Sequence, residues 1–260
     1  MNASFLSLST VGNIPPQSAN QNNSACNISN ITSDTDYNKL YQGDCIPLMQ
    51  SRPANSVDLI LTDPPYLVNY RDRTGRRIIG DNQSNWLEPA FAEMYRLLRP
   101  HRFAISFYGW NHVDKFMNAW RKAGFRIVGH FVFAKHYASK TGFTQARHEC
   151  AYLLAKGNPS HVNHALPDVM PWGKYTGNRY HPTQKPLDIL MPLIKAYSDI
   201  GDVVLDPFAG SASTLVSSHL LHRSWIGMEL DTNYHQIAQK RLKHLIQTLS
   251  EQGETSCRPC

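Results

Sequence analysis

Asp63-Pro64-Pro65-Tyr66 is the stretch of this 260-residue chain whose residue types and spacing point most directly to chemistry. Two successive prolines fix φ and donate no hydrogen bonds, so the Pro64 carbonyl is left as an acceptor beside the Asp63 carboxylate, with the Tyr66 ring held close by. Two acceptors and a stacking face suit a planar substrate carrying an amino group. The exocyclic amino nitrogen of a nucleobase is a poor nucleophile because its lone pair is delocalised into the ring. Accepting both of its hydrogens draws it toward tetrahedral geometry and frees that pair. Standing alone, the tetrapeptide would leave a proline turn capping a strand as the lesser alternative.

A second constellation, Asp206-Pro-Phe-Ala-Gly-Ser-Ala-Ser-Thr214, sets small residues between a strand and a helix, where backbone can approach a ligand closely and aim N–H groups at it. It lacks the GxGxxG spacing of dinucleotide loops, which disfavours a nicotinamide cofactor. Its leading acid, Asp206, can accept from a cationic amine, and Glu229, at the end of the next strand, is placed to accept from ribose hydroxyls. An amine, a ribose and a close backbone approach together describe S-adenosylmethionine.

The elements that must position these residues follow from periodicity. Val57 to Thr62 reads as a buried strand between Pro53 and Pro64. Leu87, Phe91, Met94 and Leu98 form a helical stripe that Pro100 stops, and Val113, Phe116, Met117 and Trp120 form another, ended by Gly124 at a C-cap. Strands are predicted at Phe103 to Phe107, Phe125 to Ala134 and Cys150 to Ala155. A helix follows Pro186, and Pro192 inside it should kink or split it. A strand at Val203 to Leu205, a helix from Ala212 to Leu221, a strand at Trp225 to Leu230 and a helix carrying Tyr234, Ile237, Ala238, Leu242 and Leu245 complete the alternation. The expectation is an α/β fold, a mostly parallel sheet flanked by helices, in one catalytic domain over residues 37–248. Residues 1–36, rich in Asn, Ser and Thr, are expected to be a disordered extension and 249–260 a flexible tail. His136 to Tyr180 reads mostly as loops.

In this order the motifs resemble the β class of amino-group DNA methyltransferases, whose motif order is permuted, over residues 40 to 245. In that family DPPY comes first, then a target-recognition region, then a segment like His181-Pro-Thr-Gln-Lys-Pro186, and last the cofactor loop. The resemblance implies a Rossmann-like methyltransferase fold that uses S-adenosylmethionine, with target recognition at 136–180. It implies that Asp63, Pro64, Pro65 and Tyr66 hold a flipped base and that Asp206, Phe208, Gly210 and Ser211 line the methionine and adenosine pocket, with Glu229 on the ribose. Thr183 and Lys185 would approach the methionine carboxylate, although a lysine before a helix is also an ordinary solvated residue. Asp44, in Tyr41-Gln-Gly-Asp-Cys45, would accept from the cofactor's adenine amino group; without the resemblance it reads as a turn. One departure is Ala212, where the family commonly has a second glycine. An earlier helix start is expected there, since Ala is the best helix former.

In the family an Asp before Pro-Pro-Tyr is typical of adenine and a Ser of cytosine. The expected reaction is therefore direct methyl transfer to N6 of a flipped adenine in double-stranded DNA, with N4 of cytosine as the alternative. Ring-carbon methylation would need a Cys nucleophile beside a proline, and no Cys here has that setting. A guanine-N2 RNA methyltransferase places its cofactor loop before DPPY, and a DNA-binding module on a decayed scaffold would not keep Asp63, Asp206 and Glu229 together.

A formal charge of +6 favours a polyanionic partner. Arg71, Arg73, Arg76 and Arg77, leaving the DPPY motif, suit phosphate contacts, the plainer alternative being a solvated basic loop. Between Lys135 and Arg179, basic and aromatic residues mix as in DNA-facing loops, Lys135, His136, Arg147, His148 and Trp172 among them. A homodimer and a companion restriction nuclease are left open. Five scattered cysteines suit reduced thiols in a cytoplasm, and Cys257 and Cys260, a CxxC pair with no second pair, are not expected to bind metal.

Overall fold

The computed structural model describes residues 36–71, 75, 77–139, 143–173, 180 and 184–255. The expected N-terminal extension lies outside the described residues apart from Asp36, as do Cys257 and Cys260. Among the described residues the order is β1 (Lys39–Gln42), α1 (Cys45–Gln50), β2 (Val57–Thr62), α2 (Leu87–Leu97), β3 (Leu98–Phe107), α3 (Val113–Ala123), β4 (Arg126–Ser139), β5 (Ala146–Lys156), β6 (Val169–Pro171), α4 (Leu187–Tyr197), β7 (Val203–Asp206), α5 (Ser213–Leu220), β8 (Ser224–Glu229) and α6 (Thr232–Thr255).

The strands form one sheet in the order β1-β8-β7-β2-β3-β5-β4-β6. All neighbouring pairs are parallel except those of β5, which runs antiparallel to β3 and to β4. β2 is buried along its whole length because both faces are covered: Ile60 packs into the layer with α1, α2 and α3, while Leu59 and Leu61 pack into the layer with α4. A strand covered on both sides reads as an unbroken apolar run, which is why Val57 to Thr62 stood out in the sequence. Chain order reverses between β7 and β2, and open α/β sheets bind ligands beyond the strand ends at such a point.

The sequence expectations are corrected in five places. β1 and α1 were not foreseen; β1 is only four residues long and gains its register from β8. The stretch His136 to Tyr180 holds more strand than the expected one at Cys150 to Ala155, since β4 runs to Ser139, β5 already begins at Ala146 and β6 lies at Val169–Pro171, the hairpin pairing imposing order that local periodicity did not signal. Pro192 does not split α4. α5 starts at Ser213 rather than Ala212, because Ala212 takes the left-handed conformation (φ 64°, ψ 30°). α6 continues past residue 248 to Thr255. The left-handed turn explains why glycine suits position 212. The Ala212 methyl is fully buried with Ala209, Leu215 and Trp225, so it fills the core beside α5 and α6 and does not crowd a pocket. Among the described residues no helix is long and apolar enough to cross a membrane.

Candidate active site

Four neighbouring parallel strands, β1, β8, β7 and β2, end on the same side of the sheet and deliver the motif residues together. Leu59 and Ile60 of β2 lie beside Val204 and Leu205 of β7, so the loops that follow, Asp63–Tyr66 and Asp206–Thr214, are adjacent. The Thr62 hydroxyl donates to Asp206 Oδ1 at 3.0 Å, joining the two strand ends directly. Gln42 pairs with Glu229, and Gly43 N donates to the Glu229 carbonyl at 2.9 Å, which brings Asp44 to the same rim.

A cavity of about 400 Å³ opens there, lined by Asp44, Asp63, Pro64, Pro65, Tyr66, Phe208, Gly210 and Glu229 among others. Eight of the residues expected around base and cofactor thus line one cavity, and a smaller adjoining cavity adds Lys185, Asp206 and Ser211. Thr183 lies outside the described residues. Asp44 caps α1, its Oδ1 accepting from Ile46 N at 2.9 Å. Glu229 accepts from Gly210 N (2.7 Å) and Asp231 N (2.8 Å), and burial pushes its carboxyl up despite those two donors. Asp206 is buried and accepts from Phe208 N at 3.1 Å; desolvation lifts its pKa to about 7. Arg241 of α6 pins the loop by donating to Ser211 O (2.8 Å) and Ser213 Oγ (3.0 Å).

The Trp86 and Phe208 rings, both on the cavity wall, lie 5.1 Å apart at 58° and present an aromatic corner suited to a purine. Trp86 carries no sequence signal, since it precedes α2 as an isolated aromatic. Its Nε1 donates to Gly80 O at 2.9 Å, tying the segment 77–86 along the cavity. Asp81 Oδ2, in the same segment, accepts from Tyr70 N at 2.6 Å. Arg77 lines the cavity, and Arg71 pairs with it through an isolated bridge. Both are exposed, and Arg73 and Arg76 lie outside the described residues.

At the base end, Asp63 Oδ2 accepts from Lys185 Nζ at 2.5 Å, whereas Asp63 Oδ1 is buried with no hydrogen-bond partner among the described residues. Lys185 is thus neither a solvated lysine nor, in this structure, a free cation near the cofactor loop: it is 5% exposed, held 5.2 Å from the Tyr66 ring centroid and 4.8 Å from that of Phe107. It also reaches Glu149 Oε2 at 3.2 Å. Burial alone would lower the ammonium's pKa, but Asp63 and Glu149 together outweigh it and hold the charge. For Asp63 burial is the larger influence and moves the carboxyl upward against the pull of Lys185. Tyr66 OH donates to Glu149 Oε2 at 3.4 Å, and Lys135 Nζ to Glu149 Oε1 at 2.7 Å.

Glu149 and Lys135 were not picked out as site residues. The available signal was alternation: Phe131, Phe133 and Lys135 share one face of β4, and Glu149, Ala151 and Leu153 one face of β5, so two charges occupy core-facing positions. Lys135 and Trp172, read as DNA-facing, are both buried, with the ammonium 5.1 Å from the indole centroid. His136, Arg147 and His148 are exposed as expected.

Gly109 is a further positioning element, because a Cβ there would lie 2.5 Å from the Tyr66 carbonyl oxygen and 2.9 Å from its Cβ. Gly109→Ala should therefore displace Tyr66 and lower kcat by about tenfold or more, given the sensitivity of transfer to small misplacements. Steady-state kinetics beside a cofactor titration checks this, and an unchanged kcat would show that the Tyr66 position is not critical.

Residues 57–240 match the model of a family described as DNA methylase. The chain is 53% identical over 215 residues to YubD of Escherichia coli (strain K12), a match covering 83% of this chain and 94% of that protein. It is 28% identical over 253 residues to the DNA adenine methyltransferase YhdJ of the same strain, covering 78% and 82% of the two chains. Among solved structures, M1.HpyAVI in complex with SAM has the same fold, with a TM-score of 0.65 at 23% identity over 78% of this chain and 98% of that one. With DPPY and the cofactor loop brought together at the switch point of a parallel sheet, the chain belongs to the amino-group DNA methyltransferases that use S-adenosylmethionine.

Proposed function

We propose that this methyltransferase acts on N6 of an adenine flipped out of duplex DNA. The observation that supports this reading is the divided Asp63 carboxylate, with Oδ2 bound by Lys185 and Oδ1 buried without a partner at the cavity wall. A buried, unsatisfied acceptor is unfavourable unless a ligand completes it. An amino N–H of the target base does so, with the Pro64 carbonyl taking the second hydrogen and Tyr66 stacking on the ring.

The cavity residues fit the cofactor. Asp206 accepts from its ammonium, Glu229 from its ribose, Asp44 from its adenine amino group, and Trp86 with Phe208 holds the purine. S-adenosylmethionine supplies an electrophilic methyl group on a sulfonium. The chain's own residues would hold the amino nitrogen between Asp63 Oδ1 and the Pro64 carbonyl, exclude water, and take the amino proton released on transfer on Asp63. The exposed Arg71, Arg77, Arg147 and His148 supply phosphate contacts. The place of action is the cytoplasm, with DNA.

Adenine is favoured over cytosine by the aspartate that opens the motif and by similarity to YhdJ, a DNA adenine methyltransferase. The test is to express the chain in a host without endogenous DNA methylation, digest its DNA to nucleosides and quantify the methylated ones by mass spectrometry. N6-methyldeoxyadenosine is expected. N4-methyldeoxycytidine in its place would overturn the choice of base while leaving the enzyme class standing.

A further inference from the structure

We infer that Glu149 and Lys135 are positioning residues for methyl transfer, forming with Lys185 a chain of alternating charge that ties down Asp63 Oδ2 and so leaves Oδ1 for the target amino group. This rests on the reading of Asp63 given above. Lysines are almost never fully buried unless paired, yet Lys135 and Lys185 are 9% and 5% exposed, and one carboxylate serves both. Glu149 engages each of them with a different oxygen, Oε1 with Lys135 at 2.7 Å and Oε2 with Lys185 at 3.2 Å, and it also receives the Tyr66 hydroxyl. It therefore touches both working parts of the DPPY motif, the acid through Lys185 and the aromatic ring directly.

The chain Lys135–Glu149–Lys185–Asp63 sums to zero charge, with two ammoniums alternating with two carboxylates. Apolar side chains of similar volume would pack the space between Phe107, Phe133 and Trp172 at no loss of stability, because burying ions costs several kcal/mol each before their attraction is counted. The placement of these four charges is thus better explained by what they do to Asp63. Without Glu149, Lys185 would lose the second carboxylate that shares it and would draw the Asp63 group toward itself.

The charged and titratable groups facing Asp63 are Lys185, Glu149 and, through Glu149, Lys135, together with Tyr66 and Asp206. Removing a negative neighbour makes Asp63 easier to ionise and removing a positive one makes it harder. The acid limb of the kcat profile should accordingly move to lower pH in Glu149→Gln and to higher pH in Lys135→Met. A scaffold role would not shift the limb in opposite directions.

The experiment measures methyl transfer from labelled S-adenosylmethionine to unmethylated plasmid DNA, with melting temperature and cofactor affinity taken on the same preparations. Glu149→Gln should lower kcat by about ten- to a hundredfold, as loss of outer-shell partners does elsewhere, with cofactor affinity within about twofold of wild type. The double variant Lys135→Met/Glu149→Gln removes one charge of each sign. It should melt near wild type yet keep the low kcat, and it carries the test if the single variant does not fold. Recovery of wild-type kcat in the double variant, or a kcat within about twofold of wild type in Glu149→Gln, overturns the inference. Asp63→Ala assayed in parallel separates the two levels: full activity there defeats the reading of the acid itself, whereas its loss with Glu149→Gln active defeats only the positioning role.

Discussion

Asp63→Ala should lower kcat for DNA methylation by at least about 100-fold while S-adenosylmethionine still binds. That loss corresponds to about 2.7 kcal/mol of transition-state stabilisation, the size expected when a preorganised polar group is removed from a water-excluded site. The groups proposed to hold the cofactor, Asp44, Asp206, Glu229 and the Trp86–Phe208 corner, come from other elements, so their geometry does not depend on the Asp63 carboxylate. Deleting it leaves Lys185 facing Glu149 alone, and some loss of thermal stability should accompany the loss of rate. Single-turnover measurement at saturating cofactor separates the two effects. A rate above one tenth of wild type would exclude Asp63 as the acceptor of the amino hydrogen.

The parts of this site that could be read from the sequence are those whose function constrains consecutive residues. DPPY follows a strand buried on both faces, and the loop Asp206–Thr214 joins a strand to a helix, so local pattern and chemistry coincided and the structure brings both motifs to neighbouring strand ends. Gly124, expected as a C-cap, has φ 103°, and α3 ends there. β1 was missed because four half-buried residues carry almost no periodicity, and its place beside β8 is a long-range pairing. Lys135 and Glu149 were missed for a related reason. Each looks like a surface charge in its own stretch of chain, and only the antiparallel pairing of β4 with β5 and the arrival of Lys185 ahead of α4 turn them inward onto one another.

Lys185 lines the smaller cavity with Asp206, Gly210 and Ser211 and also makes a contact that its expected role does not include. The sequence marks a lysine before a helix near the cofactor loop, and the resemblance assigns it to the methionine carboxylate. In the structure it lies 2.5 Å from Asp63, the acid of the other motif. One bond connects the two halves of the site, which no reading of separate motifs could supply.

The cofactor end carries a second large effect, through Asp206. Its pKa is raised from 3.8 to about 7 by burial, against donation from Thr214, Phe208 and Thr62. The folded state binds this proton more tightly than the unfolded chain does. The contribution of Asp206 to stability is therefore most favourable below pH 3.8 and is lost as the pH rises through about 7, leaving the ionised carboxylate a net cost of a few kcal/mol at most at pH 8. Asp206→Asn keeps an Oδ1 for the Thr62 hydroxyl and the Phe208 N–H and removes the charge, so it should raise the melting temperature at pH 8 and change it little at pH 4. Cofactor binding should respond in the opposite sense. A charge-assisted hydrogen bond to the ammonium contributes roughly 1.5–3 kcal/mol, so the variant should bind S-adenosylmethionine about ten- to a hundredfold more weakly. In the wild type the proton must leave before the ammonium can be accepted, and affinity should fall by about tenfold for each pH unit below 7, whereas the Asn variant should lack that slope. Calorimetric titration from pH 5.5 to 8.5 measures both. A pH-independent affinity in the wild type would mean that Asp206 is not the ammonium's partner.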